Sequence, residues 1–156
     1  AIGSFDATPQ GLWQAICASV IFTTLVTIFP ALESAPELFL SALILQVVGL
    51  VLLVLIFDFF IKAIDRSEKF LPFVVPFLWI ENLQQLFGGI VQNAVVITGD
   101  QSVMSLILFV ATWTCYWLWR IGRDIIGKGG WVAAGFIALS FVVDVMLLYM
   151  LQSRLI

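Results

Sequence analysis

Charges along this chain are spaced so that five apolar stretches lie between them. Ala7 to Leu32, Leu38 to Phe57 and Gln101 to Trp119 carry no charge, while Phe70 to Gly99 and Gly129 to Ser153 carry one carboxylate each, Glu81 and Asp144. A helix needs roughly 20 apolar residues to cross a hydrocarbon core about 30 Å thick. The pattern therefore predicts five membrane-spanning helices, over about 11–30, 38–61, 70–97, 101–120 and 131–151. These consume nearly the whole chain, so the expectation is an all-α integral membrane bundle forming one transmembrane domain over 1–156.

Local signals set the expected helix ends. Thr8 before Pro9 offers a hydroxyl cap followed by proline at the first helical position. Pro30 is expected to help end the first span, and Ser34, Pro36 and Glu37 repeat the start signal for the second. Ser67 can cap the third, Pro76 can kink it, and Gly99 suits its C-terminal end. Asp100 is placed to cap the fourth span, and Ile121 to Gly130 reads as a basic, glycine-rich connection. A cleaved signal peptide competes for the first apolar run, but no Lys or Arg precedes it and the run is long.

Composition agrees with the pattern. Hydrophobic residues make up 62% and charged residues 11% of the chain, against about 25% charged in soluble domains. A net charge of −3 without a basic tract points to no nucleic-acid partner. The chain has no histidine, which removes the usual haem ligand, the commonest zinc ligand and the usual neutral-pH proton shuttle. Cys17 and Cys115 lie inside predicted spans, where small apolar packing is the ordinary role and a disulfide or metal pair the other. No cofactor is expected.

Basic residues set the expected orientation. Lys62, Arg66 and Lys69 fall between the second and third spans, Arg120, Arg123 and Lys128 between the fourth and fifth, and Arg154 stands alone at the far end. The positive-inside rule places the N-terminus in the cytoplasm and the C-terminus outside. Trp13, Trp117, Trp119 and Trp131 would then gather at the cytoplasmic interface. Arg120, Arg123 and Lys128 are candidate contacts for anionic lipid headgroups, with a purely topogenic role as the alternative. No internal repeat is visible, which weakens an inverted-repeat transporter.

The third span is the unusual one. Glu81, Asn82, Gln84, Gln85, Gln92 and Asn93 interrupt its apolar run, and polar groups in hydrocarbon need partners. At helical spacing Glu81, Gln85, Gly88 and Gln92 share one face, and Gly88 and Gly89 would let a neighbouring helix approach. In the first span Ala15, Ser19, Thr23 and Thr27 form a small, hydroxyl-bearing stripe suited to close packing. In the fifth, Ala134 and Ala138 form a small-xxx-small pair. Glu81 lies about eleven residues into its span and Asp144 about thirteen, roughly 16 and 20 Å deep. Both are near mid-membrane, and Gln46 reaches a similar level from the other side. An unpaired charge there is costly. Each acid should therefore carry a proton or be paired through amides, a cation or a partner's base, and should turn into the bundle or a protein interface. Gln46, Glu81, Asn82, Gln85 and Asp144 form the candidate mid-membrane polar site.

The five-span plan with its N-terminus inside resembles the Yip1-type membrane proteins, while the opening F-D-A-T-P-Q-G-L-W (Phe5 to Trp13) and the segment from Asp65 to Gln85 look like recurring features of small bacterial multi-span proteins. The Yip1-type plan implies an interaction or trafficking role; the bacterial likeness implies the inner membrane and no particular activity. Neither carries over a catalytic or binding residue.

No G-x-S-x-G, H-E-x-x-H, phosphate-binding loop or CxxC is present, and Glu81 and Asp144 match no intramembrane protease motif. The expected function is non-enzymatic: an accessory or scaffold subunit packing against lipid, other membrane proteins or copies of itself. The alternative is a small ion or solute transporter or channel using the mid-membrane polar site.

Overall fold

The structure is a computed structural model that describes residues 8–34 and 36–153. Five α-helices account for nearly all of them: α1 Pro9–Ser34, α2 Pro36–Ala63, α3 Phe70–Thr98, α4 Ser105–Ile121 and α5 Gly130–Ser153. Four stretches are long and apolar enough to cross a membrane, Pro9–Ile28, Phe39–Ala63, Gln101–Ile126 and Gly130–Met150. The remaining helix, α3, is the longest at 29 residues. Pro72 in its first turn, Pro76 further in and the polar side chains from Glu81 to Asn93 dilute the apolar run.

The exterior is what marks the solvent. Leu25, Leu55, Phe59, Leu108, Phe109, Val145 and Tyr149 are all exposed, each at 60% or more, while Ser19, Thr23, Asn82, Thr114 and Ser140 are buried. A surface this apolar around a partly polar interior suits a bilayer.

The helices run alternately up and down and close into a ring, in the order α1, α2, α5, α4, α3 and back to α1. One end of the ring holds the basic turns 64–69 and 122–129, and is called the basic end below. Just inside it lies the densest packing. Phe57 of α2 meets Phe73 and Phe77 of α3 and Phe136 of α5 at centroid separations of 5.5, 4.9 and 5.2 Å. Ile61, Leu118, Ile121 and Ile126 complete this plug, all buried.

Several local expectations hold. The Gly11 amide donates to the Thr8 hydroxyl at 3.1 Å. Gly99 ends α3 in the left-handed conformation at φ 70°, its amide bonding the Val95 carbonyl. Lys62 pairs with Asp58 at 2.7 Å, a helix-surface contact. Asp100 caps a 3₁₀ turn, Gln101–Met104, that leads into α4. The Ser102 amide and hydroxyl both donate to Asp100 and hold its carboxyl below the usual range.

Others need correcting. α1 continues through Pro30 to Ser34; proline removes one amide donor, which a long helix can absorb. Ser67 does not cap α3. It opens a 3₁₀ turn, Ser67–Lys69, that runs directly into the helix, whose N-cap Lys69 makes no side-chain bond. The end of α2 carries a feature that sequence did not suggest. Asp65 stands at φ 58°, with Arg66 N–H bonding Ile61 O and Asp65 N–H bonding Lys62 O. This is the Schellman arrangement, with aspartate where glycine is usual. The connection read over Ile121 to Gly130 is largely helical too. Gly122–Ile126 is a π-helical turn continuing α4, and only Gly127–Gly129 lies between it and α5. Gly122 sits so close to Ala133 of α5 that a Cβ there would meet it. Ala133, rather than the Ala134 and Ala138 pair, therefore forms the tight α4–α5 seam; Ala138 is exposed. Cys17 and Cys115 are both free thiols.

Candidate functional site

The polar residues of α3 are placed by α1. Ala15, Ser19 and Thr23 are buried, so the small stripe of α1 faces the bundle. Asn82 Nδ2 donates to the Ala15 carbonyl at 2.9 Å, and Gln85 Nε2 donates to Thr23 Oγ1 at 2.6 Å. Thr23 in turn donates to the Ser19 carbonyl at 2.8 Å, and Gln46 Nε2 of α2 reaches Ser19 Oγ at 3.3 Å. Three helices are thus joined through one hydroxyl stripe. Such bonds in a membrane protein contribute on the order of 1 kcal/mol each. Replacing Asn82 with leucine should accordingly cost about 1 kcal/mol, because the α1–α3 bond is lost while the site stays filled. Thermal unfolding in detergent would check this, and an unchanged midpoint would argue that Asn82 holds nothing.

Close approach makes the bonding possible. A Cβ on Gly89 would collide with the Val26 side chain of α1. Gly88 has open space beside it, so of the two expected approach glycines only Gly89 serves. On the other side of the ring Gly49 of α2 plays the same part against Leu147 of α5.

Beyond the aromatic plug, in the half of the bundle away from the basic end, the helices line a half-open cavity of about 420 Å³. All five helices line it. Ser19, Val26 and Thr27 come from α1, Gln46 and Leu50 from α2, Ile107, Val110 and Ala111 from α4, and Asp144 from α5. The largest share is from α3, where Glu81, Asn82, Gln84, Gln85, Gly88, Gly89 and Gln92 follow one another along the wall. Gln46, Glu81, Asn82, Gln85 and Asp144, singled out from sequence, therefore come together on one space. Glu81 is half-buried and lies beside Ser140 and Asp144 of α5, within reach of the Asp144 charge. Asp144 is the more exposed of the two acids, where an inward-turned residue was expected. It also lines a second cavity, of about 270 Å³, whose walls include Thr23, Ala42, Leu45, Leu147 and Leu148. Thr27, Gln46, Gln85 and Asp144 belong to both cavities. The sequence reading missed Gln84, Gln92 and Thr27 as part of this site, although the spacing of Glu81, Gln85, Gly88 and Gln92 already held part of the signal.

Among the described residues no Lys or Arg lines either cavity. The candidate headgroup residues lie at the basic end. Arg123 stacks on Trp119 at 4.6 Å and Arg120 lies 5.5 Å from the Trp117 ring. Both arginines also approach Asp124, at 3.6 Å from Arg120 and 3.0 Å from Arg123. Lys128 is exposed. Trp119 Nε1 donates to the Gly130 carbonyl at 3.0 Å and ties the end of α4 to the start of α5.

Among the described residues no group of three or more His, Cys, Asp or Glu comes together as a metal site. No protein-family model, no curated protein and no solved structure matches the chain. The fold and its apolar exterior define the class on their own: an all-α protein with four helices able to cross a membrane.

Proposed function

We propose that this protein is a non-enzymatic, five-span integral membrane protein of the bacterial inner membrane, and that its cavity is the vestibule of a conduit for a small ion or solute. In this reading α3 is the fifth span, its polar face hidden in the ring. The N-terminus and the basic turns face the cytoplasm, and the cavity opens toward the outside. The observation that carries the reading is the cavity itself: polar side chains from α1, α2, α3 and α5 converge on one space in the middle of an apolar bundle. A bundle with no use for that space would fill it with apolar side chains, since voids cost packing energy. The aromatic plug closes the path on the basic side, so passage requires Phe57, Phe73, Phe77 and Phe136 to part. In proteoliposomes the wild type should pass small ions or solutes, and Glu81→Gln should reduce that flux at least tenfold, about 1.4 kcal/mol of barrier. Flux equal in the variant, or none in the wild type, would sink the reading.

A second reading is favoured by Asp144, an exposed acid on a spanning helix. An accessory subunit would cover Asp144 with a helix of another membrane protein or of a second copy, and Arg120, Arg123 and Lys128 would hold anionic headgroups. Purification in mild detergent separates the two: a lone monomer counts against the accessory role.

A further inference from the structure

We infer that the cavity binds a single alkali-metal cation between Glu81 and Asp144, coordinated by their carboxyl oxygens and by the amide oxygens around them. The inference deepens the conduit reading by naming its ligand.

The amide orientations carry the argument. The Thr23 hydroxyl spends its hydrogen on the Ser19 carbonyl, so toward Gln85 it can only accept. Gln85 must therefore present an N–H to α1. Asn82 is fixed in the same way, because its partner, the Ala15 carbonyl, has no hydrogen to give. Both side chains line the cavity, and with an N–H committed to α1 each keeps a carbonyl oxygen able to accept. Hydroxyl and carbonyl acceptors on α1 have thus drawn the amide nitrogens to one side.

What remains is a wall rich in oxygen acceptors. Glu81 and Asp144 line the same cavity from α3 and α5, within electrostatic reach of each other, and among the described residues no other titratable side chain lines it. Every basic residue of the described chain lies toward the basic end, on the far side of the phenylalanine plug. Two adjacent carboxyls at membrane depth must be neutralised locally, by protons or by a ligand that brings positive charge. Oxygen donors of this kind suit hard cations, not thiophilic metals. Two acids are few for a calcium site, which draws on six to eight oxygens and usually several carboxylates. One shared proton and one monovalent ion balance the pair. The volume of about 420 Å³ is many times what one water needs, so the ion can keep part of its hydration shell.

The test uses the full-length protein in detergent with radioactive sodium or rubidium ions as the probe, measured by scintillation proximity. Saturable binding is expected. It should weaken at least about tenfold in Glu81→Gln and in Asp144→Asn, the loss of one ionic partner. It should persist in Asp58→Asn, which removes an acid at the opposite end. Should either cavity variant fail to fold, infrared difference spectra of the wild type decide instead: replacing N-methylglucamine with sodium should shift the carboxyl bands. The inference is overturned by wild-type protein that binds neither ion, by binding indifferent to both cavity variants, by a preference for calcium, or by unmoved carboxyl bands. Cation binding without flux would overturn the conduit reading alone. Flux of a neutral solute without cation binding would overturn this inference and leave the conduit standing.

Discussion

Replacing Phe57 with alanine should lower the stability of the bundle by about 3 kcal/mol, at the low end of the range for buried phenylalanine. Phe57 is 1% exposed and is the ring that touches Phe73, Phe77 and Phe136 at once. In a bilayer the transfer gain is small, because lipid tails are as apolar as the core. What is lost is dispersion contact and edge-to-face ring geometry, the latter about 0.5 to 1.5 kcal/mol per pair. Phe57→Leu keeps most of the volume and should cost less than about 1.5 kcal/mol. Phe59, two residues on and 67% exposed, is the internal comparison; Phe59→Ala should leave the midpoint of thermal unfolding near the wild type. If Phe57→Ala melts with wild type, the plug is not the mechanical centre of the protein. On the proposed conduit reading the same variant should also leak in proteoliposomes, because the plug has lost its central ring.

The second large effect is expected at Gly89. A leucine there has no room, since even a Cβ collides with Val26. The helices α1 and α3 must separate, and the Asn82–Ala15 and Gln85–Thr23 bonds stretch with them. Overpacking of this kind costs about 1–3 kcal/mol, and the two bonds add to it. Gly88→Ala makes the contrast, because nothing lies within reach of its Cβ. Alanine is the better helix former by about 1 kcal/mol, so that variant should hold or gain stability. Combining Gly89→Ala with Val26→Ala should recover part of the loss that Gly89→Ala alone brings. Equal melting of Gly88→Ala and Gly89→Ala would refute the close-contact assignment.

Much of the architecture was legible in the sequence because the bilayer imposes a length scale. Apolar runs of span length, three uncharged and two with one carboxylate each, predicted five helices, and five are found among the described residues, four of them long and apolar enough to cross. The polar site was legible for a related reason. Asn82 and Gln85 cost too much in hydrocarbon to face outward, so burial followed from their identity. Helix ends were less legible. Ser67 has the composition of a cap, but the chain there tightens into a 3₁₀ turn; the π-helical turn at Gly122–Ile126 leaves no periodic trace over its five residues. Which glycine of the Gly88–Gly89 pair meets α1 depends on the rotation of α3 about its own axis, and one sequence does not fix a rotation. The exposure of Asp144 belongs to the same category, since it depends on how far α5 stands from α2 and α4.

The ring order has a consequence for how the protein is made. α5 leaves the ribosome after α1 to α4, yet its place is between α2 and α4. Until it arrives the ring is an open arc and the cavity has no far wall. α3, the helix that lines most of the cavity, must therefore wait without the Asp144 side of it. By then α1, made before α3, already offers Ala15 and Thr23 to receive Asn82 and Gln85. α1 thus acts as a built-in escort for α3, and the cavity gains its far wall only when synthesis reaches α5.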